Sequence, residues 1–228
     1  CQTSFAFEQI IEKEMIPPDS ILPFEITLDQ ALSAFTAWQN SEMREDVENI
    51  HHHLMYLAVW TFDMGGQVTW RCQVKKGDDW LPLDGHEIVY HNDLPVFATR
   101  RLPAELRAGL SGYDFSKIVA FDRRYLAGSI AENYQISAGD ASLLARQMCL
   151  EAEREKILSR LPSQVDQFRI NSTKMIVEAF RLVLLPACLV QYSVSSQRYQ
   201  ALVNGQTGKV LAQKPSPRRK SLFSRLFG

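Results

Sequence analysis

The amino-acid sequence predicts an α+β fold, mostly antiparallel sheet, with one long amphipathic helix and a C-terminal β-meander. Three observations carry this expectation. Between Leu182 and Lys214, short apolar runs are separated by Ser195-Ser196-Gln197 and by Asn204-Gly205-Gln206-Thr207-Gly208, and turn residues between β-rich runs mark hairpins. Val68, Trp70, Cys72 and Val74 alternate with Thr69, Arg71, Gln73 and Lys75, the period-two pattern of a strand with one exposed face. From residue 138 to 160, Ala141, Leu144, Ala145, Met148, Cys149 and Ala152 recur at helical spacing behind the capping pair Ser137 and Asp140.

The remaining elements follow in chain order. Residues 1–24 read as a connector, because Pro17-Pro18 forces an extended path. Thr27 with Gln30 forms a capping box, and Leu28, Ala31, Leu32, Phe35 and Trp38 continue at helical spacing. Residues 54–62 are apolar on both faces, as in a central strand, and Gly65-Gly66 is expected to turn the chain into the alternating strand. Further strands are expected at 87–90, 94–99 and 118–121, and after Pro162 at 167–173, 176–185, 187–193, 199–203 and 209–213. On the long helix, Glu151, Glu153, Arg154, Glu155 and Lys156 read as a solvated face. The α+β domain is thus expected over 25–214, with a subdomain break near 135–165 and a basic tail at 215–228. Asn204, Gly205 and Gly208 are read as structural turn residues.

With 228 residues, 46% hydrophobic and 22% charged, the composition is that of a globular chain able to bury one large core or two smaller ones. The most apolar window, 175–194, is interrupted by Glu178, Arg181, Pro186 and Gln191, so no membrane-spanning helix is expected there. The chain opens on Cys1 without a basic-then-apolar leader, and this start is expected to lie inside a longer natural protein. Cys1, Cys72, Cys149 and Cys188 are widely separated with no C-x-x-C spacing, which argues against a disulfide framework and points to the cytoplasm. Residues 209–228 carry six basic side chains and no acid, so with a net charge of −1 the rest of the chain carries −7. An acidic body is a poor nucleic-acid surface.

Candidate sites are few. His51 and His53 would share a face of a strand and could clasp a metal, yet a site needs further convergent ligands, and three adjacent histidines entering a strand read more simply as a solvated loop end. Asp78-Asp79 sits in a Lys-Gly-Asp-Asp turn, and Gly109-Leu110-Ser111-Gly112 misses the spacing of a nucleophile elbow. In the tail, Arg218, Arg219, Lys220 and Arg225 accompany Leu222, Phe223, Leu226 and Phe227, which on a helix would form an apolar ridge beside basic charge. That combination suits an anionic membrane surface.

Several segments carry a resemblance. Cys1-Gln2-Thr3-Ser4-Phe5 resembles the end of the second knuckle, C-x-x-C-G-x-x-F, in a family of bacterial zinc-ribbon proteins, some labelled helicase-like, with Gln2 where the family has glycine. Residues 16–24, 56–63, 125–134, Leu185-Pro186 and above all 203–210, Val-Asn-Gly-Gln-Thr-Gly-Lys-Val, are similar to its recurring blocks. The resemblance implies an N-terminal zinc ribbon followed by an α+β domain, with Cys1 the last of four zinc ligands. A lone thiolate cannot hold zinc, so this chain is expected to be metal-free and the whole protein to carry zinc.

The expected function is a non-enzymatic partner-binding or assembly domain of such a protein, cytoplasmic, with a protein partner and peripheral contact to the inner membrane surface. A second expectation is a support domain for a nucleic-acid-binding ribbon. A third is a hydrolase using His51, His53 and nearby carboxylates.

Overall fold

One strand, β2 (Glu48–Lys76), runs for 29 residues and organises the fold. In the computed structural model, which describes residues 16–107, 112–172 and 174–215, its first half pairs antiparallel with β7 (Ile176–Val194). Its second half lies between β3 (Asp79–Phe97) and β6 (Val165–Ser172), both antiparallel to it. The C-terminal hairpins continue from β7 to β8 (Gln197–Asn204) and β9 (Val210–Ala212). Short strands β1 (Ser20–Ile21), β4 (Val119–Ala120) and β5 (Ile130–Ala131) complete a nine-stranded sheet. The fold is mixed α/β and mostly sheet, as expected, with two parallel contacts, β1 on β7 and β5 on β2.

Several boundaries differ from the sequence expectation. Gly65-Gly66 is not a turn: β2 runs straight through, and the hairpin closes at Gly77, where φ is +65°. Gly66 instead marks a close approach, since a Cβ there would collide with the backbone of Lys174 and Met175. The expected strand 87–90 is part of β3, 94–99 joins it only as far as Phe97, and 176–185 and 187–193 are parts of β7. Pro186 is tolerated inside β7 because its carbonyl faces Gly205 and the Tyr113 hydroxyl, so its nitrogen also points away from β2.

The connector ends earlier than expected. The prolines deliver an extended chain into the sheet, where Leu182 N donates to Asp19 Oδ2 and Leu22 N donates to the Leu184 carbonyl. Ile21 and Leu22 are fully buried, so the residues from Asp19 onward belong to the domain. At the start of the span 135–165, where a subdomain break is expected, Trp60 Nε1 donates to Ile136 O at 2.8 Å, and Ala141, Ala145 and Cys149 pack in one core with Tyr56, Trp60 and Phe62.

Two helices cover one face of the sheet. α1 (Leu28–Glu42) starts at Thr27 with both bonds of the capping box in place, and it lays Ala31 and Phe35 against Cys188, Val190 and Tyr192. α2 (Ala104–Arg107) is a single turn on the other face, where Leu102, Leu106 and Tyr113 cover Leu57, Val59, Val183 and Leu185. α3 (Ala138–Arg160) has the predicted span. Its buried stripe is narrower than predicted, consisting of Ala141, Ala145, Cys149, Glu153 and Ile157, while Leu143, Leu144 and Met148 are exposed. Small residues face the sheet because Trp60, Phe62 and Met64 fill the space from below.

Candidate functional site

Among the described residues, the sheet face opposite α1 and α3 is covered only in its middle, by residues around α2. Alternation along β2 places Asn49, His51 and His53 at one uncovered end of this face and Gln67, Thr69 and Arg71 at the other.

At the first end, register aligns His51 with Gln191 of β7 and Gln191 with Gln200 of β8, a polar row across three strands. The histidines stand within β2 rather than at a loop end, and they share a face as the spacing predicts. Hollows of about 690 and 700 Å³ open beside His51 and His53, and both are lined by Arg101, Gln191 and Gln200, so they form one trough. Arg198 stands at the His51 end and Glu132 at the His53 end. Glu132 Oε1 accepts from Thr99 Oγ1 at 2.8 Å, and Gln213 Oε1 accepts from Gln200 N at 3.0 Å. Among the described residues, Arg101 and Arg198 form no ion pair, and no group of three or more His, Cys, Asp or Glu side chains is arranged to hold a metal ion.

At the other end, β3, β2 and β6 lie side by side. Asp84, Arg71 and Arg169 form one cross-strand row, and His86, Thr69 and Asn171 the next. Tyr90 and Ile176 flank Gly65 from its two neighbouring strands. Tyr90, Ile88 and Ile176 are 70%, 68% and 58% exposed, although all three sit on regular strands. On the reverse of the ribbon Val68, Cys72 and Val89 are buried.

The turn 204–208 ties three segments together. Asn204 Oδ1 accepts from Gln206 N at 2.8 Å and Thr207 N at 3.0 Å, while Nδ2 donates to Gly112 O at 3.1 Å. Gln206 Oε1 accepts from Asp114 N at 2.8 Å, and Nε2 donates to Glu25 Oε1 at 3.0 Å. Gly205 O receives Glu25 N and Ile26 N, and a Cβ on Gly205 would lie 2.7 Å from the Phe24 ring and from Pro186 O. Gly208 has φ +73°, a conformation that favours glycine. Hydrogen bonds from Lys117 and Gln206 hold the Glu25 carboxyl below the usual range, and the Ser116 hydroxyl does the same for Asp114. Burial pushes the Tyr113 phenol up, and its hydroxyl donates to Pro186 O at 2.8 Å.

Glu153, expected on the solvated face, is buried and meets His91 Nε2 at 3.1 Å and Lys156 Nζ at 3.2 Å. Its spacing of four from Cys149 and from Ile157 was the available signal. Cys72, Cys149 and Cys188 are buried free thiols. Arg101, Arg198 and the Ile88–Tyr90–Ile176 cluster were not singled out by sequence, because only register brings them to their neighbours. Cys1 and the tail residues Arg218, Arg219, Lys220, Leu222, Phe223, Arg225, Leu226 and Phe227 lie outside the described residues. Among the described residues no helix is long and apolar enough to cross a membrane.

No known protein family matches the chain, and no solved structure does. The chain is similar to the uncharacterized protein YdjG of Bacillus subtilis (strain 168), with 27% identity over 244 aligned residues that cover 93% of this chain and 69% of that protein.

Proposed function

We propose that this chain is a non-enzymatic assembly domain of a bacterial protein, and that it engages a protein partner through the open face of the β3–β2–β6 ribbon. The observation that carries the reading is the exposure of Ile88, Tyr90 and Ile176 together on ordered strands. Contiguous exposed apolar groups mark interaction surfaces, and tyrosine and arginine are the side chains that interfaces favour; Arg71 and Arg169 lie farther along the same face, beyond the Thr69–His86–Asn171 row. Asp84 next to Arg71, on a chain of net charge −1, suits a protein better than a nucleic acid. Among the described residues, the trough at His51 and His53 offers a hydrolase only one carboxylate, Glu132, with one oxygen already engaged.

The likeness to a Bacillus subtilis protein supports the bacterial part of the reading. The zinc ribbon, with Cys1 as its last ligand and zinc as the whole protein's metal, rests on the sequence resemblance. Cytoplasmic residence with peripheral contact to an anionic membrane rests on the composition of the tail.

Site-specific photo-crosslinking in the native host tests the partner surface. Tyr90→p-benzoylphenylalanine should yield a discrete protein adduct that Ile88→Glu abolishes, while the same probe at Glu155 on α3 should yield none. Absence of an adduct at position 90, or the same adducts from both positions, refutes the reading.

A further inference from the structure

We infer that the trough beside His51 and His53 is a binding site for a polycarboxylate. Its chemistry is distinct from that of the ribbon face, and four observations converge on it.

The first is shape. The two hollows meet at Arg101, Gln191 and Gln200, giving an elongated depression with β2, β7 and β8 along its floor and the loop residues Arg101, Glu132 and Gln213 at its rim. The second is excess positive charge: among the described residues Arg101 and Arg198 pair with no carboxylate, and the lining sets two guanidinium groups against a single carboxylate, Glu132, whose Oε1 accepts from Thr99. Guanidinium groups match carboxylates through two parallel N–H···O bonds, so two unpaired forks in one depression make a site for at least two carboxylates.

The third observation is the neutral lining. Gln191 and Gln200 supply amide donors between the charges, and Gln213 is oriented by the bond its oxygen accepts from Gln200 N, which leaves its amide hydrogens for a ligand. The fourth is backbone geometry at the rim. The β2–β7 register slips between Glu48 and His51, and Asn49, which lines the trough, has φ +50°. Bulges of this kind re-aim side chains beside binding sites. Among the described residues the trough lining holds no glycine, and the helix that starts beside it after Pro103 is a single turn, unlike the loops and helix N-termini that cradle phosphate; planar forks with amides between them suit carboxylates instead.

Carboxylates can come from a free organic acid or from the acidic side chains of a peptide, and two probes separate these sources. The His51 and His53 imidazole resonances of the full chain are followed by NMR during titration with citrate, with hexaglutamate and with inorganic phosphate. Saturable shifts of both histidines with citrate or hexaglutamate are expected, with half-saturation below about 10 mM. The double variant Arg101→Gln/Arg198→Gln should weaken binding roughly tenfold or more, whereas Arg71→Gln/Arg169→Gln, with the same change of charge on the ribbon face, should leave it unaltered. Tighter binding of citrate assigns a free acid, and tighter binding of hexaglutamate an acidic peptide. No saturable shift, equal weakening in both double variants, or phosphate binding as tightly as either carboxylate overturns the inference.

Discussion

Replacing Asn204 by alanine tests whether the 204–208 turn holds the domain together. The side chain is 5% exposed and makes three hydrogen bonds, two as acceptor from Gln206 N and Thr207 N and one as donor to Gly112 O. Asn204→Ala leaves two backbone N–H groups and one carbonyl without these partners. At a net contribution of roughly 1 kcal/mol per bond, the loss is about 3 kcal/mol. For a chain of 228 residues, this corresponds to a fall in Tm of roughly 6–12 °C. Urea unfolding followed by tryptophan fluorescence reads the loss, with the slope against denaturant unchanged. A loss below about 0.5 kcal/mol for Asn204→Ala refutes the reasoning.

Three further outcomes are expected. Burial pushes the Cys149 and Cys188 thiols up to about 11; their contribution is complete below the unfolded thiol's range and is lost as pH rises through that range toward the folded value. Both should therefore resist Ellman's reagent in the native protein at pH 8 and react fully only in denaturant, and rapid native reaction at either position would count against burial. Glu25 and Asp114 are held low by their hydrogen bonds, so their contribution is present above the unfolded carboxylate range and is lost as pH falls through it toward the folded values. Gln206→Ala should make stability less steep in pH over that acidic window, and an unchanged slope in acid titrations followed by circular dichroism would show that the contact contributes nothing. Finally, the full chain should float with vesicles containing phosphatidylglycerol and a chain ending at Pro215 should not; equal recovery removes the membrane part of the proposal.

What was legible in the sequence was local. The Thr27 capping box, the span of α3 and the turns at Ser195-Ser196 and 204–208 are each encoded within a few residues, and each lies where expected. Features that depend on what lies alongside were not legible. The glycines at 65 and 66 carry the local mark of a turn, but the passing backbone of Lys174 and Met175 explains Gly66, and the side chains of Glu178 and Tyr90 lie over Gly65. Pro186 reads as a strand breaker until its carbonyl partners are known. Glu153 reads as solvated because its neighbours Glu151 and Glu155 are. The trough and the ribbon face are products of register: Gln191 meets His51, and Tyr90 and Ile176 meet Gly65, across gaps in the chain that no periodicity spans.

The length of β2 has a consequence for how the molecule is made. Thr61 and Arg181 lie 120 positions apart, and ribosomes add roughly 5–20 residues each second. The apolar first half of β2 must therefore wait on the order of 6–24 s for β7, its neighbour there, to be synthesised. During that interval its edge is open to the wrong strand, which makes this chain a natural client for chaperones that shield extended hydrophobic segments, and makes slower translation between the two strands a hazard to its yield.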